Sequence, residues 1–183
     1  MKIKFRQSKV RVLLAGKYLS LYKQNQWEFV KRNNCTGIVI ILAKTKENNI
    51  LFVEQFRPPV GKRVIEFPAG LVNDHNLKRG ESVLTAAKRE LLEETGYHAK
   101  KMVKIIKGPV SSGLTSDLVT FVLAKGLEKI SDGGGDHTEN IIVHEISFRS
   151  AEKWLKSKIK KGYLLDPKIY AGLYFFSKYN EAL

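Results

Sequence analysis

The 183-residue sequence has one cysteine, Cys35, and no long uncharged hydrophobic run. A single thiol cannot form an internal disulfide or a multi-cysteine zinc site, which excludes a disulfide-built secreted domain and predicts a cytoplasmic protein. The longest apolar stretch near the amino terminus, around Val12 to Ala15, is too short for a signal-peptide core or a membrane span. We therefore expect a soluble, unprocessed protein with no membrane partner.

Acidic residues are scarce, since 18 Asp and Glu face 32 Lys and Arg and leave a formal charge of +14. This excess predicts an anionic partner or substrate, but it does not separate nucleic acid from nucleotide. Five lysines share one segment, which has only Trp154 as an interleaved aromatic residue: Lys153, Lys156, Lys158, Lys160 and Lys161. A solvated helix face is the plainer interpretation, so we expect no nucleic-acid partner; a basic nucleic-acid-binding protein is the alternative class.

Several common phosphate- and metal-binding motifs are absent from the sequence. It contains no G-x-x-x-x-G-K-[ST] phosphate loop, no G-x-G-x-x-G dinucleotide fingerprint and no H-E-x-x-H metal helix. The chemistries that depend on those motifs are therefore not expected.

Short apolar and β-branched runs separated by turn residues predict a sheet. The stronger strands are expected at 37–43, 50–55, 101–107, 118–124 and 139–147. Weaker runs at 10–14, 19–22 and 26–31 predict an amino-terminal antiparallel β meander. With 43% hydrophobic residues the chain has enough apolar material for one packed core.

Three segments have helical start or stop signals. The first runs from about Glu81, as an acidic residue in the first turn, to a left-handed cap at Gly96. The second has Ser150 as its N-cap, and the third has Asp166 as its N-cap followed by Pro167. Strands first and helices interspersed afterwards predict an α+β fold or a mixed α/β sandwich.

The first helix carries three glutamates, Glu90, Glu93 and Glu94, within an arc of roughly 100°. Like charges at this spacing repel by roughly 0.2 to 0.5 kcal/mol per pair, so a cation is expected to offset them. Oxygen ligands at this density suit Mg²⁺ or Mn²⁺ bound together with substrate phosphates. On the glutamates alone, a solvated acidic face paired with lysines is the favoured alternative.

The wider context of these glutamates changes that balance. From Glu81 through Arg89 to Gly96 and Tyr97, the residues resemble the signature box of the Nudix hydrolases, G-x5-E-x7-R-E-U-x-E-E-x-G-U, where U is apolar. The box glycine is the one departure: His75 stands in its place, and Gly70 is the residue that fills the role. The loop 71–79 is then five residues longer than the pattern, which surface loops absorb at small entropic cost.

Four further stretches resemble the ADP-sugar pyrophosphatase branch of this family: 27–32, 54–59, 66–70 and 139–144. The resemblance implies an α/β/α sandwich and metal-dependent hydrolysis of nucleoside diphosphate sugars, such as ADP-ribose or GDP-mannose, to a nucleoside monophosphate and a sugar phosphate. It also implies a homodimer to which an amino-terminal meander, 1–35, contributes beside a hydrolase domain, 36–183. Hydrolysis of NAD, dinucleoside polyphosphates or coenzyme A is the alternative within the family.

The resemblance also implies roles for individual residues. The metal ligands are expected to be the three glutamates of the first helix and the carbonyl of Ala69. Arg57 is expected to clamp the diphosphate, because a guanidinium fork matches phosphate oxygens two at a time. Trp27 is expected to stack on the base while Glu28 and Arg32 contribute polar recognition, in the same or the other subunit's site. The alternative for Trp27 is an ordinary core or interface aromatic residue.

Glu139 and Glu94 are the expected catalytic residues. Glu139 follows three successive glycines, 133–135, which predict a mobile loop whose carboxylate reaches the metals as general base or ligand. The alternative is a turn followed by a strand-capping acid. His137 and His144 lack the spacing of a zinc site and are not expected to bind metal. Arg89 is expected to pair with Glu81 or to steady Glu90.

Overall fold

The computed structural model describes residues 9–74, 80–135 and 139–179. Within these ranges the chain forms three sheets and three helices. The strands are β1 (Arg11–Ala15), β2 (Leu19–Gln24), β3 (Trp27–Arg32), β4 (Gly37–Ala43), β5 (Asn49–Arg57), β6 (Lys62–Glu66), β7 (Ala69–Val72), β8 (Tyr97–Pro109), β9 (Leu118–Lys129), β10 (Ile142–Ser147) and β11 (Leu164–Leu165). The helices are α1 (Val83–Thr95), α2 (Ala151–Lys160) and α3 (Lys168–Tyr179).

The amino-terminal strands form a sheet of their own, ordered β1-β2-β3 and antiparallel throughout. This confirms the predicted meander. The backbone of Val30 joins the meander to the segment before β9: its N–H donates to the carbonyl of Leu114 at 2.9 Å, and its carbonyl accepts from the N–H of Ser116 at 3.1 Å.

Two four-stranded sheets make the centre of the molecule. One is ordered β7-β4-β9-β8, with β4 parallel to β9, and the other is ordered β10-β5-β6-β11, with β11 parallel to β6. The remaining neighbours are antiparallel.

Alternation along β4 shows why helices cover both sides of the sheets. Val39 and Ile41 are fully buried in one apolar cluster with Leu91 of α1. Ile40 and Leu42 belong to a second cluster, which contains residues of α2 and α3. Successive side chains of a strand point to opposite faces, so one helix lies on one side and two on the other. The predicted α+β fold with an α/β/α sandwich is confirmed.

Every strand expected from the sequence is present, although several bounds differ. The β8 and β9 strands are longer than predicted, with 13 and 12 residues, because they pair with each other far beyond the apolar core. The last predicted strand was placed too early, since β10 begins at Ile142 rather than Glu139. Three short strands, β6, β7 and β11, were not predicted.

The helix caps correct one expectation and confirm two. Helix α1 has Ser82 as its N-cap, with Oγ accepting from the N–H of Thr85, so Glu81 precedes the helix instead of lying in its first turn. Ser150 is the N-cap residue of α2 as predicted, but its side chain makes no capping hydrogen bond, because its hydroxyl donates to the carbonyl of Ser147. Asp166 does cap α3, accepting from the N–H of Lys168 at 2.8 Å.

The three helices have 13, 10 and 12 residues. A helix needs about 20 apolar residues to cross a bilayer. Accordingly, none of the helices in the described ranges qualifies as a membrane span.

Candidate active site

Helix α1 and strand β7 lie in close contact, and this contact organises the site. A Cβ atom on Gly70 would fall 1.8 Å from Cδ of Glu90, so the carboxyl group of Glu90 occupies the space that a side chain at position 70 would need. Gly70 is the residue that the sequence analysis placed in the box. The longer loop after it, 75–79, lies outside the described residues.

Arg89 is the cation at the centre of the acidic residues of α1. Its guanidinium donates to Glu81 at 3.0 Å, to the carbonyl of Leu71 at 3.0 Å and to Glu93 at 2.9 Å, and it pairs with Glu90 at 2.8 Å. This confirms the pairing expected for Arg89. The arginine fixes α1 to the end of β7 and orients two of the three box glutamates.

Glu94 is the most enclosed of those glutamates. Only 3% of the residue is exposed, and its Oε2 accepts a hydrogen bond from the backbone N–H of Ala69 at 3.0 Å. Burial raises the pKa of Glu94 well above its usual value, and the charges of Glu90 and Glu139 add to that increase against the hydrogen bond from Ala69. Among the residues that the structure describes, no side-chain cation forms an ion pair with this carboxyl group.

Glu90 lies in a similar environment. Burial raises the pKa of Glu90 to about 7, and Glu93 and Glu139 push it in the same direction, while Arg89 opposes the shift. The charge of Glu139 raises the pKa of both Glu90 and Glu94, so the fold brings Glu139 near the box glutamates although it lies on a different segment of the chain. Four carboxylates thus share one region.

This donor set fits a hard divalent ion. All the donors are carboxylate oxygens, and burial holds the pKa values of Glu90 and Glu94 above the usual value, so a divalent cation would favour their ionised forms. Among residues 9–74, 80–135 and 139–179, no three His, Cys, Asp or Glu side chains stand at the distances of a preformed metal site. Glu90 and Glu93 are instead held by Arg89, and Glu94 by Ala69, in the metal-free arrangement.

A cleft of about 550 Å³ adjoins the acidic cluster. Ala69 lines the cleft and also donates to Glu94, so the two features share a wall. Apolar side chains of β4, β6, β9 and β11 form much of the lining. The charged residues of the lining are Arg32, Arg57, Glu66, Asp117, Asp166 and Lys168.

These six charged residues form three ion pairs. Arg57 pairs with Glu66 at 2.7 Å, Arg32 with Asp117 at 3.3 Å, and Lys168 with Asp166. Burial raises the pKa of Glu66, and the nearby Arg57 opposes the shift. Each ion pair therefore offers a polar ligand hydrogen-bond donors from its basic side chain and acceptors from its acidic side chain.

The structure separates the residues expected to recognise the substrate. Arg57 and Arg32 line the cleft. Trp27 does not line it in this protomer: it is 53% exposed and packs beside Gly113. Glu28 pairs with Lys23 at 2.9 Å, also away from the cleft.

Sequence reasoning assigned no site role to four residues of the cleft: Glu66, Asp117, Asp166 and Lys168. Glu66 stood within a stretch used for the resemblance, and Asp166 was identified only as a helix cap. No sequence signal pointed to Asp117 or Lys168. His137 lies outside the described residues, and His144 contacts Glu54 at 2.9 Å, away from the acidic cluster.

Comparison with known proteins adds an independent finding. The family model of the NUDIX domain matches residues 31–161. The ADP-ribose pyrophosphatase of Bacillus subtilis (strain 168) is 35% identical over 156 residues, which cover 80% of this chain and 80% of that protein. The GDP-mannose pyrophosphatase of Yersinia pestis (strain Pestoides F) is 30% identical over 149 residues, or 76% of this chain and 72% of that protein.

Two further similarities differ in scope. The methanol dehydrogenase activator of Bacillus methanolicus is 37% identical over 123 residues, which cover 67% of this chain but only 64% of the activator, less than two thirds of its length. A crystal structure of an ADP compounds hydrolase superposes with a TM-score of 0.71 over 95% of this chain and 92% of that one. At 18% identity the latter similarity shows a shared fold.

Proposed function

The chain belongs to the NUDIX domain family, and from that premise we propose that it hydrolyses the diphosphate of nucleoside diphosphate sugars. ADP-ribose and GDP-mannose are the proposed substrates, because pyrophosphatases named for ADP-ribose and GDP-mannose are among its relatives. The products are a nucleoside monophosphate and a sugar phosphate.

The observation that carries this proposal is the wall shared by the acidic cluster and the cleft. Glu94 bonds to the backbone of Ala69, and Ala69 lines the same cleft as Arg57. The charge of Arg57 also influences Glu94. A diphosphate bound by the guanidinium therefore lies next to carboxylates suited to a divalent ion, which is the arrangement that phosphoryl chemistry requires.

The rest of the cleft suits a small ligand that has both an apolar part and a polar part. Its volume of about 550 Å³ falls within the roughly 300 to 1,000 Å³ typical of small-molecule sites. The apolar walls favour a base or the apolar face of a sugar, and the ion pairs supply donors and acceptors for hydroxyl groups. This combination favours a nucleotide sugar over inorganic diphosphate.

The chain's own residues divide the chemistry among them. Glu90, Glu93, Glu94 and the carbonyl of Ala69 would hold Mg²⁺ or Mn²⁺, which would supply charge neutralisation and activation of water. Arg57 binds the diphosphate as it exchanges Glu66 for phosphate oxygens.

Hydrolysis then needs one bond to form and one to break. A water oxygen bonds to one phosphorus, the bridging P–O bond breaks, and Glu139 accepts the proton of the water. Arg89 keeps Glu90 and Glu93 oriented throughout, through contacts of 2.8 and 2.9 Å.

We also propose that the protein is a homodimer assembled through the amino-terminal meander. All five residues of β1 are exposed, and Leu14 is 67% exposed. A dimer would cover this apolar surface and place Trp27 and Glu28 against the partner's cleft, which explains why they lie outside the cleft of their own chain. Light scattering tests this: Leu14→Asp yields monomers, while Ile159→Asp, at an exposed position of α2, stays dimeric. A monomeric wild-type protein contradicts it.

A cytoplasmic location is proposed from the state of the one thiol. Burial raises the pKa of Cys35, so the side chain stays a protonated, weakly reactive thiol. A protein with a single such cysteine gains nothing from an oxidising compartment. Fractionation of cells that express the native chain measures its compartment.

The function is tested by phosphate release, after coupling to a phosphatase, from ADP-ribose, GDP-mannose, UDP-glucose, NAD, diadenosine polyphosphates and dNTPs. We expect cleavage of the diphosphate sugars with Mg²⁺ or Mn²⁺ and none with EDTA. Cleavage confined to NAD, to dinucleoside polyphosphates or to dNTPs would transfer the proposal to that substrate class. A folded, metal-loaded protein that cleaves nothing contradicts it.

Arg57→Lys tests the clamp within the same assay. Lysine keeps the charge but loses the bidentate geometry, so kcat/KM should fall by about tenfold or more. Arg149→Lys, on the exposed turn before α2, is the matched control and should leave kcat/KM unchanged. Equal values for the two variants would remove Arg57 from the site.

A further inference from the structure

The segment that follows β9 is docked on the carboxyl-terminal end of α1. The N–H of Ile130 donates to the carbonyl of Gly96 at 2.9 Å. Further along, the N–H of Gly134 donates to the carbonyl of Glu94 at 2.9 Å, and the N–H of Gly135 donates to the carbonyl of Glu93 at 3.0 Å. The last carbonyls of a helix have no partner within the helix, so here the loop satisfies two of them.

This docking depends on glycine at the contact between helix and loop. A Cβ atom on Gly96 would lie 1.9 Å from the carbonyl oxygen of Ser131. One on Gly133 would lie 2.4 Å from the carbonyl carbon of Thr95 and 2.7 Å from the carbonyl oxygen of Glu94. The neighbours in each case are backbone atoms, which cannot rotate away, so the two glycines let the chains interlock.

Gly135 connects the docked loop to Glu139. A Cβ atom on Gly135 would lie 2.6 Å from Oε2 of Glu139 and 2.8 Å from its Cβ. The N–H of Ile141 donates to the carbonyl of Gly134 at 3.2 Å, so the chain returns against the glycines just after Glu139. The side chain of Glu139 therefore packs on the bare face of Gly135, which is itself bonded to Glu93.

We propose that Gly133, Gly134 and Gly135 form a latch that positions Glu139 against the carboxylates of α1, with Gly135 as a positioning residue of the proposed reaction. The latch is hydrogen-bonded to the backbone carbonyls of Glu93 and Glu94, so it holds Glu139 at a fixed position relative to the box glutamates. The glycines that suggested a mobile loop in the sequence here serve close packing. The inference rests on the proposed function of the site.

Gly135→Ala and Gly162→Ala form a matched pair to test the latch. The two glycines have φ angles of +85° and +86°, so alanine introduces the same backbone strain at both. An added methyl group meets Glu139 at position 135 but nothing within 4 Å at position 162. Both variants should lower the melting temperature, Gly135→Ala by more because of its steric contact, but only Gly135→Ala should lower kcat, by about tenfold or more, with KM unchanged. Equal kcat values for the two variants overturn the proposal.

Combination with Glu139→Gln distinguishes positioning from general damage. If Gly135 acts through Glu139, then Gly135→Ala should slow the Glu139→Gln enzyme no further. A second, independent decrease in kcat would show that Gly135 acts by another route and would overturn the proposal.

Amide hydrogen exchange tests the latch without turnover. In the wild-type protein the amides of Gly134 and Gly135 should exchange at least about 100-fold more slowly than in an unstructured peptide. Exchange at the rate of an open loop overturns the latch. If the wild-type protein hydrolyses no substrate, the proposed function fails, while exchange still decides whether the latch exists.

Discussion

Glu54 on β5 and Glu94 on α1 are equally buried glutamates, each 3% exposed, with opposite surroundings. Glu54 accepts from Arg63 at 2.5 Å and from Lys158 at 2.8 Å, and it contacts His144 at 2.9 Å. Burial alone raises the pKa of Glu54, but these hydrogen bonds outweigh burial and lower the pKa to about 2. Glu94 has one backbone donor, and its pKa is raised.

The difference shows that burial does not decide the role of a carboxylate. At Glu54 the protein supplies the positive charge itself, through Arg63 and Lys158, and the ion pair with Lys158 joins α2 to the sheet. At Glu94 the only hydrogen bond in the described residues comes from a backbone N–H, and at Glu90 burial outweighs the pairing with Arg89, so keeping these two groups ionised costs stability. Sites that give up stability in this way are typical of function, since a bound cation can restore it.

The largest expected effect is on turnover. Glu94→Gln should lower kcat by about 10²- to 10³-fold, because it removes a metal ligand while keeping the shape of the side chain. Glu54→Gln should leave kcat within about threefold of wild type at temperatures well below its melting point, a bound set by its distance from the chemistry. The comparison breaks if Glu94→Gln keeps full activity or if both variants lose it equally.

The same two variants should rank in the reverse order for stability. In EDTA, Glu54→Gln should lower the free energy of unfolding by about 3 kcal/mol, because three cationic or polar donors lose a buried charge. Glu94→Gln should raise it, because the amide oxygen still accepts from Ala69 and no charge is buried. Denaturant titration measures both values, and a destabilised Glu94→Gln in EDTA would contradict the assignment.

The pH dependence of the metal-free protein should show both kinds of carboxylate. The usual glutamate pKa is 4.5, and that of Glu54 is about 2, so its stabilisation is complete above pH 4.5 and is lost as the pH falls toward 2. The pKa of Glu90 is about 7, so the contribution of Glu90 to stability is highest below pH 4.5 and is lost as the pH rises through 7. Each of these two changes in the free energy of unfolding should amount to about 3 kcal/mol.

Variants and metal assign these two pH effects. In EDTA, Glu54→Gln should remove the loss at low pH, and Glu90→Gln should remove the part of the high-pH loss that Glu90 contributes, leaving the part due to Glu94. Mg²⁺ should also abolish the high-pH loss, because the ion binds the ionised carboxylates. A high-pH loss that persists undiminished in Glu90→Gln would assign it to another group.

The sequence predicted the elements of the fold better than the relations between them. The β4 strand was predicted at 37–43 as observed, because its seven residues are almost all apolar and turns flank it. The β11 strand, with only Leu164 and Leu165, has no periodicity to detect and exists because it pairs with β6. Helix α1 was predicted to begin at about Glu81, but it begins at Val83. Acidic residues favour the first turn of a helix, whereas the side chain of Glu81 accepts a hydrogen bond from Arg89 instead.

The same limit applies to the site. The box glutamates and Arg57 could be identified because they stand in recognisable stretches of sequence. Asp117 and Lys168 could not, since their presence in the cleft depends on where β9 and α3 begin in space. Glu54 was visible in the sequence only as part of a stretch, and its partner Lys158, 104 residues away, was interpreted as a solvated lysine.

Lys158 gives the smallest effect and the finest test of the comparison. Its side chain is 13% exposed, with Nζ 2.8 Å from Glu54 and 4.5 Å from the ring centre of Tyr163, whereas Lys156 is 66% exposed and pairs with Glu152. Lys158→Met should cost about 1 to 2 kcal/mol, less than Glu54→Gln, because Glu54 keeps two other partners. Lys156→Met should change stability by less than about 0.5 kcal/mol. Equal losses in the two variants would show that the Glu54 network contributes no more than a surface ion pair.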